Sequence, residues 1–269
     1  MSYFKIFKQS DNLYQFKDSL GSLCTLLIGT ERALVLDTCY GIGDLYSEIR
    51  NLTNLPLIVV NSHGHMDHSC GNYQFDDVYI HSNDLELVKK HNSFEWRKKN
   101  IASAVNMNVL PINFNEELYL SQNEGKLKLI DDLKEFSLGN LTIQVFNAFG
   151  HTQGSIALFC KELKLMIVSD AICQYVWIFL EESTSVSEYV KTVKNILEID
   201  FDNFIVGHVP GLLSKDIMKE YYQCANNIDL EKSERVTFNN FEGFDSYAYC
   251  TDYLYSKNGC GVVFDKNKL

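Results

Sequence analysis

Residues 56–68 read Pro-Leu-Ile-Val-Val-Asn-Ser-His-Gly-His-Met-Asp-His. Two kinds of chemistry meet there. Residues 56–61 form an unbroken apolar run, the pattern of a strand buried on both faces. Directly behind it, three histidines and an aspartate crowd into residues 63–68. A strand that ends in such a cluster delivers polar side chains to one edge of a sheet.

The residue types explain the crowding. Neutral imidazole and carboxylate are preferred ligands of zinc, manganese and iron. His63 and His65 are two apart, so on an extended or tight-loop backbone both can face one ion. Asp67 and His68 can diverge toward a second ion. Further along the chain, Gly150-His151-Thr152 and Gly207-His208-Val209 each follow a predicted strand, and Asp170 ends another, Leu-Met-Ile-Val-Ser-Asp. His151 would complete the first set and His208 the second, with Asp170 bridging through its two oxygens. Two ions ~3.5–4 Å apart can hold a bridging water whose pKa falls from ~15.7 toward ~7. His81 and His91 stand apart from this pattern. His81 ends a strand and His91 follows Lys89-Lys90 on a charged helix face, so both read as ordinary structural or surface residues.

The rest of the chain reads as strands with interspersed helices. Alternation predicts strands over 3–8 and 12–17, and apolar runs predict a hairpin of 22–28 with 33–38. Helical spacing follows at Leu45, Ile49 and Leu52, and a short strand over 78–81. Residues 83–107 read as a helix with Asn83 as its cap. Residues 108–127 show no period, and 83–127 as a whole reads as an insertion able to cover the site. Strands resume at 128–131 and 135–146, then as a hairpin of 155–160 with 165–169. Ser185 and Glu188 form a capping box for a helix to about 199. A strand at 204–207 and a helix capped by Ser214 come next. An aromatic hairpin over about 245–265, turning at Asn258-Gly259, ends the chain. The order predicts two sheets packed face to face with helices outside. No Pro- or Gly-rich linker interrupts residues 1–269, so one domain is the simpler reading.

Composition narrows the function classes. Of 269 residues, 46% are hydrophobic and 13% aromatic, which argues against disorder. The net charge of −11 disfavours both nucleic-acid binding and docking on an anionic membrane. No run reaches ~18 apolar residues, so no membrane span is expected. The N-terminus lacks a basic-then-apolar leader. Eight cysteines without a CxxC pair read as reduced thiols of a cytoplasmic protein.

The combined motifs resemble the metallo-β-lactamase-fold hydrolases. His63-x-His65-x-Asp67-His68 matches that family's HxHxDH signature. Gly150-His151-Thr152-x-Gly154-Ser155, Ser169-Asp170 and Gly207-His208 follow in the family's order, so the resemblance covers nearly the whole chain. It implies a four-layer αββα sandwich with the metals at one edge of the two sheets. It also implies that His63, His65 and His151 hold one metal, and Asp67, His68 and His208 the other, bridged by Asp170. Asp67 would also orient the metal-bridging hydroxide. Asp37, ending the strand Leu-Val-Leu-Asp, resembles the aspartate that orients ligand histidines from behind the metal site. Gln153, Cys39 and Val209 depart from the family's usual residues, and Cys70 stands where a small residue is common. None of these is a ligand position.

These readings predict a dinuclear metal hydrolase that cleaves an ester-like bond of a small molecule: thioester, lactone, ester or amide. Zinc is the default metal, and iron or manganese suits the same ligands. Tyr175, Trp177 and Phe179, just after Asp170, are candidates for an apolar substrate pocket. The aromatic C-terminal hairpin is either a pocket wall or a homodimer edge. A phosphodiesterase is the alternative hydrolase, disfavoured because no Arg or Lys cluster adjoins a ligand motif. An iron redox enzyme on the same fold is the alternative of another class.

Overall fold

Two sheets carry the core of the computed structural model, which describes residues 2–130, 135–238 and 245–269. The first runs β1 (Phe4–Lys8), β2 (Leu13–Asp18), β3 (Leu23–Ile28), β4 (Ala33–Leu36), β5 (Leu57–Val60), β6 (Val78–His81) and β7 (Leu127–Ile130), in that spatial order. Pairing is antiparallel from β1 to β4 and parallel from β4 to β7. The chain then forms β8 (Glu135–Ser137), β9 (Thr142–Asn147), β10 (Ile156–Cys160) and β11 (Leu165–Ser169). It leaves through β12 (Tyr175–Ile178) and returns as β13 (Asn203–Val206) and β14 (Leu213–Ser214). The second sheet has the order β14-β13-β11-β10-β9-β8, with β11 and β13 parallel. The strand expected over 128–131 is β7, and its last expected residue, 131, lies outside the described residues.

Strand periodicity builds the layers. In β4, Leu34 and Leu36 face the second sheet, where they meet the inward side chains Val145, Leu158 and Ile167. Ala33 and Val35 face the other way, onto Leu45 and Ile49 of helix α1 (Leu45–Arg50). The second sheet repeats the logic: Phe159, Met166 and Val168 point outward onto helices flanking that side. Those helices are the sixth and seventh in chain order. Before them come α2 (Met66–Ser69), α3 (Leu85–His91), α4 (Phe94–Asn106) and α5 (Glu116–Leu120). Then α6 (Val186–Leu197) and α7 (Lys215–Asn226) cover the second sheet through Tyr189, Val193, Met218 and Tyr221. The result is the expected αββα sandwich. Ser185 caps α6 as its capping-box sequence predicts, its Oγ accepting from Glu188 N at 3.2 Å.

Three local expectations change. Residues 83–107 form two helices, broken at Asn92-Ser93, with a 3₁₀ turn over Ser82–Asp84 ahead of them. Asn83 is not the cap; its Nδ2 donates to the Gln153 carbonyl at 3.0 Å. The C-terminal hairpin exists, but its strands, β16 (Ser246–Cys250) and β17 (Gly261–Asp265), are joined by a long loop rather than a tight turn at Asn258-Gly259. It belongs to a third sheet, β12-β17-β16-β15, in which β15 (Glu234–Val236) is an edge and β12 pairs parallel with β17. Sequence spacing does not reveal that pairing, because the partners lie far apart in the chain. All eight cysteines are free. Among the described residues, no helix is long and apolar enough to cross a membrane.

The inter-sheet core is the main source of stability. Leu34→Ala, at a fully buried position, is expected to cost about 2–5 kcal/mol. Ile6→Ala, at a site 41% exposed, should stay within about 0.5 kcal/mol. Urea denaturation midpoints check both.

Candidate metal centre

Four strands of the two sheets end at the same edge, and special backbone turns aim their last residues inward. After β4, Asp37 takes a left-handed conformation with φ 66°. After a bulge in β11, Ser169 does the same with φ 47° and points Asp170 at the edge. Beyond β13, Gly207 allows an approach no other residue could, since a Cβ there would lie 2.0 Å from Asp170 Oδ1. Cys39 also takes a positive φ, 58°, which glycine enters freely and cysteine does not. His63 and His65 follow β5, with His68 in the short α2 and His151 in the loop between β9 and β10.

The ligand-type atoms converge in two sets: His63, His65 and His151; and Asp67, His68, Asp170 and His208. In each set these atoms lie within 4.8 Å of one another. Hydrogen bonds on the far side of each ring decide what the near side offers. His65 Nε2 donates to the Glu182 carboxylate at 2.7 Å, and His151 Nδ1 to the Trp177 carbonyl at 2.9 Å. His63 Nδ1 lies 3.0 Å from Ser62 Oγ, whose own proton goes to Asp37 at 2.8 Å. In the second set, His68 Nδ1 faces Asp37 Oδ2 at 2.9 Å and His208 Nδ1 the Gly21 carbonyl at 3.3 Å. Every outer nitrogen therefore meets an acceptor and carries the proton, and in the neutral ring every inner nitrogen presents a lone pair. In the first set these inner nitrogens face one another, with His65 Nδ1 at 3.0 Å from both His63 Nε2 and His151 Nε2. A cation between them would offset the repulsion of lone pairs this close.

Burial pushes His63 well below the usual imidazole range and His151 down to about 4, so both are neutral as ligands must be. In the second set, burial opposes ionisation of every member, but the mutual attraction outweighs it: Asp67 and Asp170 are held low, His68 is pushed well above the usual imidazole range and His208 up to about 9, so without a cation these two rings carry the protons that a bound metal would replace. Buried His68 Nε2 and Asp170 Oδ1 have no hydrogen-bond partner. Asp67 Oδ2 and Asp170 Oδ2 lie 3.3 and 3.5 Å from that His68 nitrogen, and 3.4 and 3.0 Å from His208 Nε2. Unpartnered buried atoms beside two carboxylates fit a divalent cation. His81 and His91 belong to neither set.

Asp37 supports both sets from behind. It is 1% exposed and accepts from Ser62 N, Ser62 Oγ, His68 Nδ1 and Ser169 Oγ at 2.7–2.9 Å. Two further supports were not apparent in the sequence. Glu182 orients His65. Asp84 accepts from Gly64 N, Thr152 Oγ1 and Gly154 N at 2.7–2.8 Å, tying the two histidine loops together. A capping-type Ser-Asn-Asp turn before a helix was the sole signal for Asp84, and nothing near Glu182 marks it.

A cavity of about 620 Å³ opens over both sets. Tyr175 and Trp177 line it because β12 alternates and turns both to one face. Phe179 does not. The strand ends at Ile178, and Phe179 is fully buried against Phe238, Ala248 and Val263. Tyr255 joins the wall, its hydroxyl accepting from Trp177 Nε1 at 3.2 Å, so the C-terminal loop is a pocket wall. His91 departs from its charged-face reading. It is 5% exposed, stacks on His65 with centroids 5.2 Å apart, and lines the cavity with Trp96. Lys90 and Lys99 also reach the cavity, so the cationic groups missing beside the ligand motifs arrive from α3 and α4. Cys70 faces away, donating to the His91 carbonyl at 3.3 Å.

Asp37→Asn keeps the shape but replaces one acceptor oxygen with an NH2 donor, which cannot accept from the groups that face it. It is expected to lower divalent-metal affinity about 10–100-fold, read as metal retained across a chelator series. Unchanged retention would contradict the supporting role of Asp37.

A family profile described as the metallo-beta-lactamase superfamily matches residues 18–208. Among curated proteins, acyl-coenzyme A thioesterase MBLAC2 of Homo sapiens is 25% identical over 214 residues, spanning 75% of this chain and 76% of that one. Its Bos taurus counterpart is 27% identical over the same shares. Among solved structures, the DIM-1 metallo-beta-lactamase superposes with a TM-score of 0.59 at 16% identity, over 83% of this chain and 97% of its own. The sec-alkylsulfatase Pisa1 from Pseudomonas sp. superposes with a TM-score of 0.61 at 15% identity, over 82% of this chain and 41% of its own. The profile match, the sandwich and the paired ligand sets agree: the chain belongs to the metallo-beta-lactamase superfamily, as a metal-dependent hydrolase.

Proposed function

We propose that the chain hydrolyses acyl thioesters, with coenzyme A thioesters as the substrate class. The hydrolytic part rests on one observation: five histidines, each with its outer nitrogen on an acceptor, turn their inner nitrogens into two sets, the second of which also holds the carboxylates of Asp67 and Asp170. The thioester part is favoured by the curated relatives, named as acyl-coenzyme A thioesterases, and by a cavity that pairs an aromatic wall with cationic residues.

In this reading His63, His65 and His151 would hold one ion, and Asp67, His68, Asp170 and His208 would hold a second. Zinc is the default, and iron or manganese suits the same donors. Divalent ions bound there lower the pKa of water toward ~7 and polarise a carbonyl oxygen. Asp67 accepts a hydrogen bond from the attacking water and sets its direction. Glu182 and the Trp177 carbonyl keep the His65 and His151 rings in register. Tyr175, Trp177 and Tyr255 keep bulk water from the acyl side. A thiol leaving group, with pKa ~8.5, departs as the anion, so the reaction requires no dedicated general acid. Eight free cysteines suit the reducing cytoplasm, where we place the protein.

The test is a matched panel on metal-loaded protein: acyl-coenzyme A, a lactone, a β-lactam and a phosphodiester. Thioester turnover that disappears together with bound metal in His65→Ala is the expected result. Phosphodiester turnover alone replaces the thioester reading with a phosphodiesterase. Oxygen consumption by an iron-loaded protein without hydrolysis replaces it with a redox enzyme. Unchanged turnover in His65→Ala removes the metal centre from the mechanism.

A further inference from the structure

The cavity has two chemically different walls, and the difference assigns the two ends of the substrate. On one side stand Tyr175, Trp177 and Tyr255. The two tyrosine rings meet at 5.2 Å and the Trp177 indole donates to Tyr255, which makes an ordered aromatic surface. On the other side a column of side chains from α3 and α4 leads out of the metal centre. His91 stacks on His65; Trp96 packs on His91 with centroids 4.3 Å apart; and Lys99 Nζ sits 4.0 Å over the Trp96 ring. The column ends in a cation. Among the described residues, Lys99 has no carboxylate partner, so its ammonium is held in place by the ring face alone. Lys90 lies on the same wall, 3.8 Å from Glu181 in an exposed pair of a kind that contributes little and that an incoming anion can displace.

We propose that Lys99, seated on Trp96, binds the phosphate-bearing leaving-group end of the thioester together with Lys90, while Tyr175, Trp177 and Tyr255 receive the acyl chain. The assignment rests on the thioester reading and adds the residues that select a phosphorylated thiol carrier. Its physical basis is direct. The chain carries a net charge of −11, so a polyanion approaching the cavity meets repulsion from most of the surface. Lys90 and Lys99 are the ammonium groups of a lining that also carries Glu181 and Glu182, and they give a phosphate its attractive contacts there. An ammonium fixed over an aromatic face loses little freedom when a phosphate binds. Lys89 makes the contrast: it belongs to the same helix as Lys90, pairs with Glu86 at 2.7 Å, and does not line the cavity.

The experiment compares acyl-coenzyme A with the same acyl group on pantetheine, which lacks the nucleotide and its phosphates. Wild-type protein should prefer acyl-coenzyme A in kcat/KM. Lys99→Gln should reduce that preference about tenfold, as expected for one lost charge-assisted contact. Lys99→Arg should retain most of it, Lys89→Gln should leave it unchanged, and added salt should erode it in wild type. In parallel, desulfo-coenzyme A, which has no sulfur to ligate a metal, is titrated against the full chain and read by tryptophan fluorescence. Its Kd should rise about tenfold in Lys99→Gln. Equal kcat/KM for the two thioesters in wild type, or an equal loss on both in Lys99→Gln, overturns the assignment. If neither thioester is turned over, the thioester reading fails, and the titration still decides the lysines. An unchanged Kd in Lys99→Gln then overturns their role, and a raised one upholds it for a phosphorylated ligand of another bond class.

Discussion

The carboxylate of Asp37 is the constraint on which the site depends. It ends β4 in a conformation unfavourable to aspartate, φ 66°, and is almost wholly buried. A lone carboxylate buried this deeply is costly unless its lone pairs are filled. Four donors fill them, from the end of β5, from α2 and from the end of β11. These elements come from both sheets, so satisfying one buried charge fixes how the sheets meet at the edge. The histidines inherit their orientation from that arrangement. His68 bonds Asp37 directly, and His63 through Ser62. The backbone strain at Asp37 and Ser169 persists because the surrounding hydrogen bonds over-determine it, as is common where function needs a side chain in an unusual place.

The parts legible in the sequence are those in which local pattern and chemistry coincide. The buried run before His63 and the crowding of His63, His65, Asp67 and His68 sit in one short stretch, so a single turn of backbone brings them together. His151, Asp170 and His208 each mark a strand end, and parallel or antiparallel pairing then carries strand ends to a common edge. Glu182 and Asp84 left no comparable signal. Glu182 sits in a loop beside a second glutamate, and only the fold places His65 against one and Lys90 against the other. Asp84 looks like a helix cap, but its carboxylate serves backbone amides of two distant loops.

The cavity wall was misread for a similar reason. A charged stretch such as Lys89-Lys90-His91 is usually a solvated helix face, and two of its three residues conform. His91 is buried because α3 packs on α2, and its carbonyl takes the Cys70 thiol. Phe179 fails in the opposite sense. Period two would carry it onto the cavity face after Tyr175 and Trp177, but the strand ends one residue early and the ring turns into the third sheet. Pairing of β12 with β17, remote in sequence, is what brings the Tyr255 loop to the cavity.

This division has a functional logic. The ligand sets stand on strand ends locked by a buried carboxylate, where a displacement would leave several polar groups unpaired at once. The proposed selectivity residues stand elsewhere. Lys90 belongs to α3, Lys99 to α4, and Tyr255 to a loop of the third sheet. None of these elements contributes a ligand atom to the two sets. Changes at the cavity wall therefore alter which substrate is held without disturbing the hydrogen bonds that orient His63 or His68. A fold arranged this way can keep one hydrolytic centre and exchange substrates by rebuilding its rim.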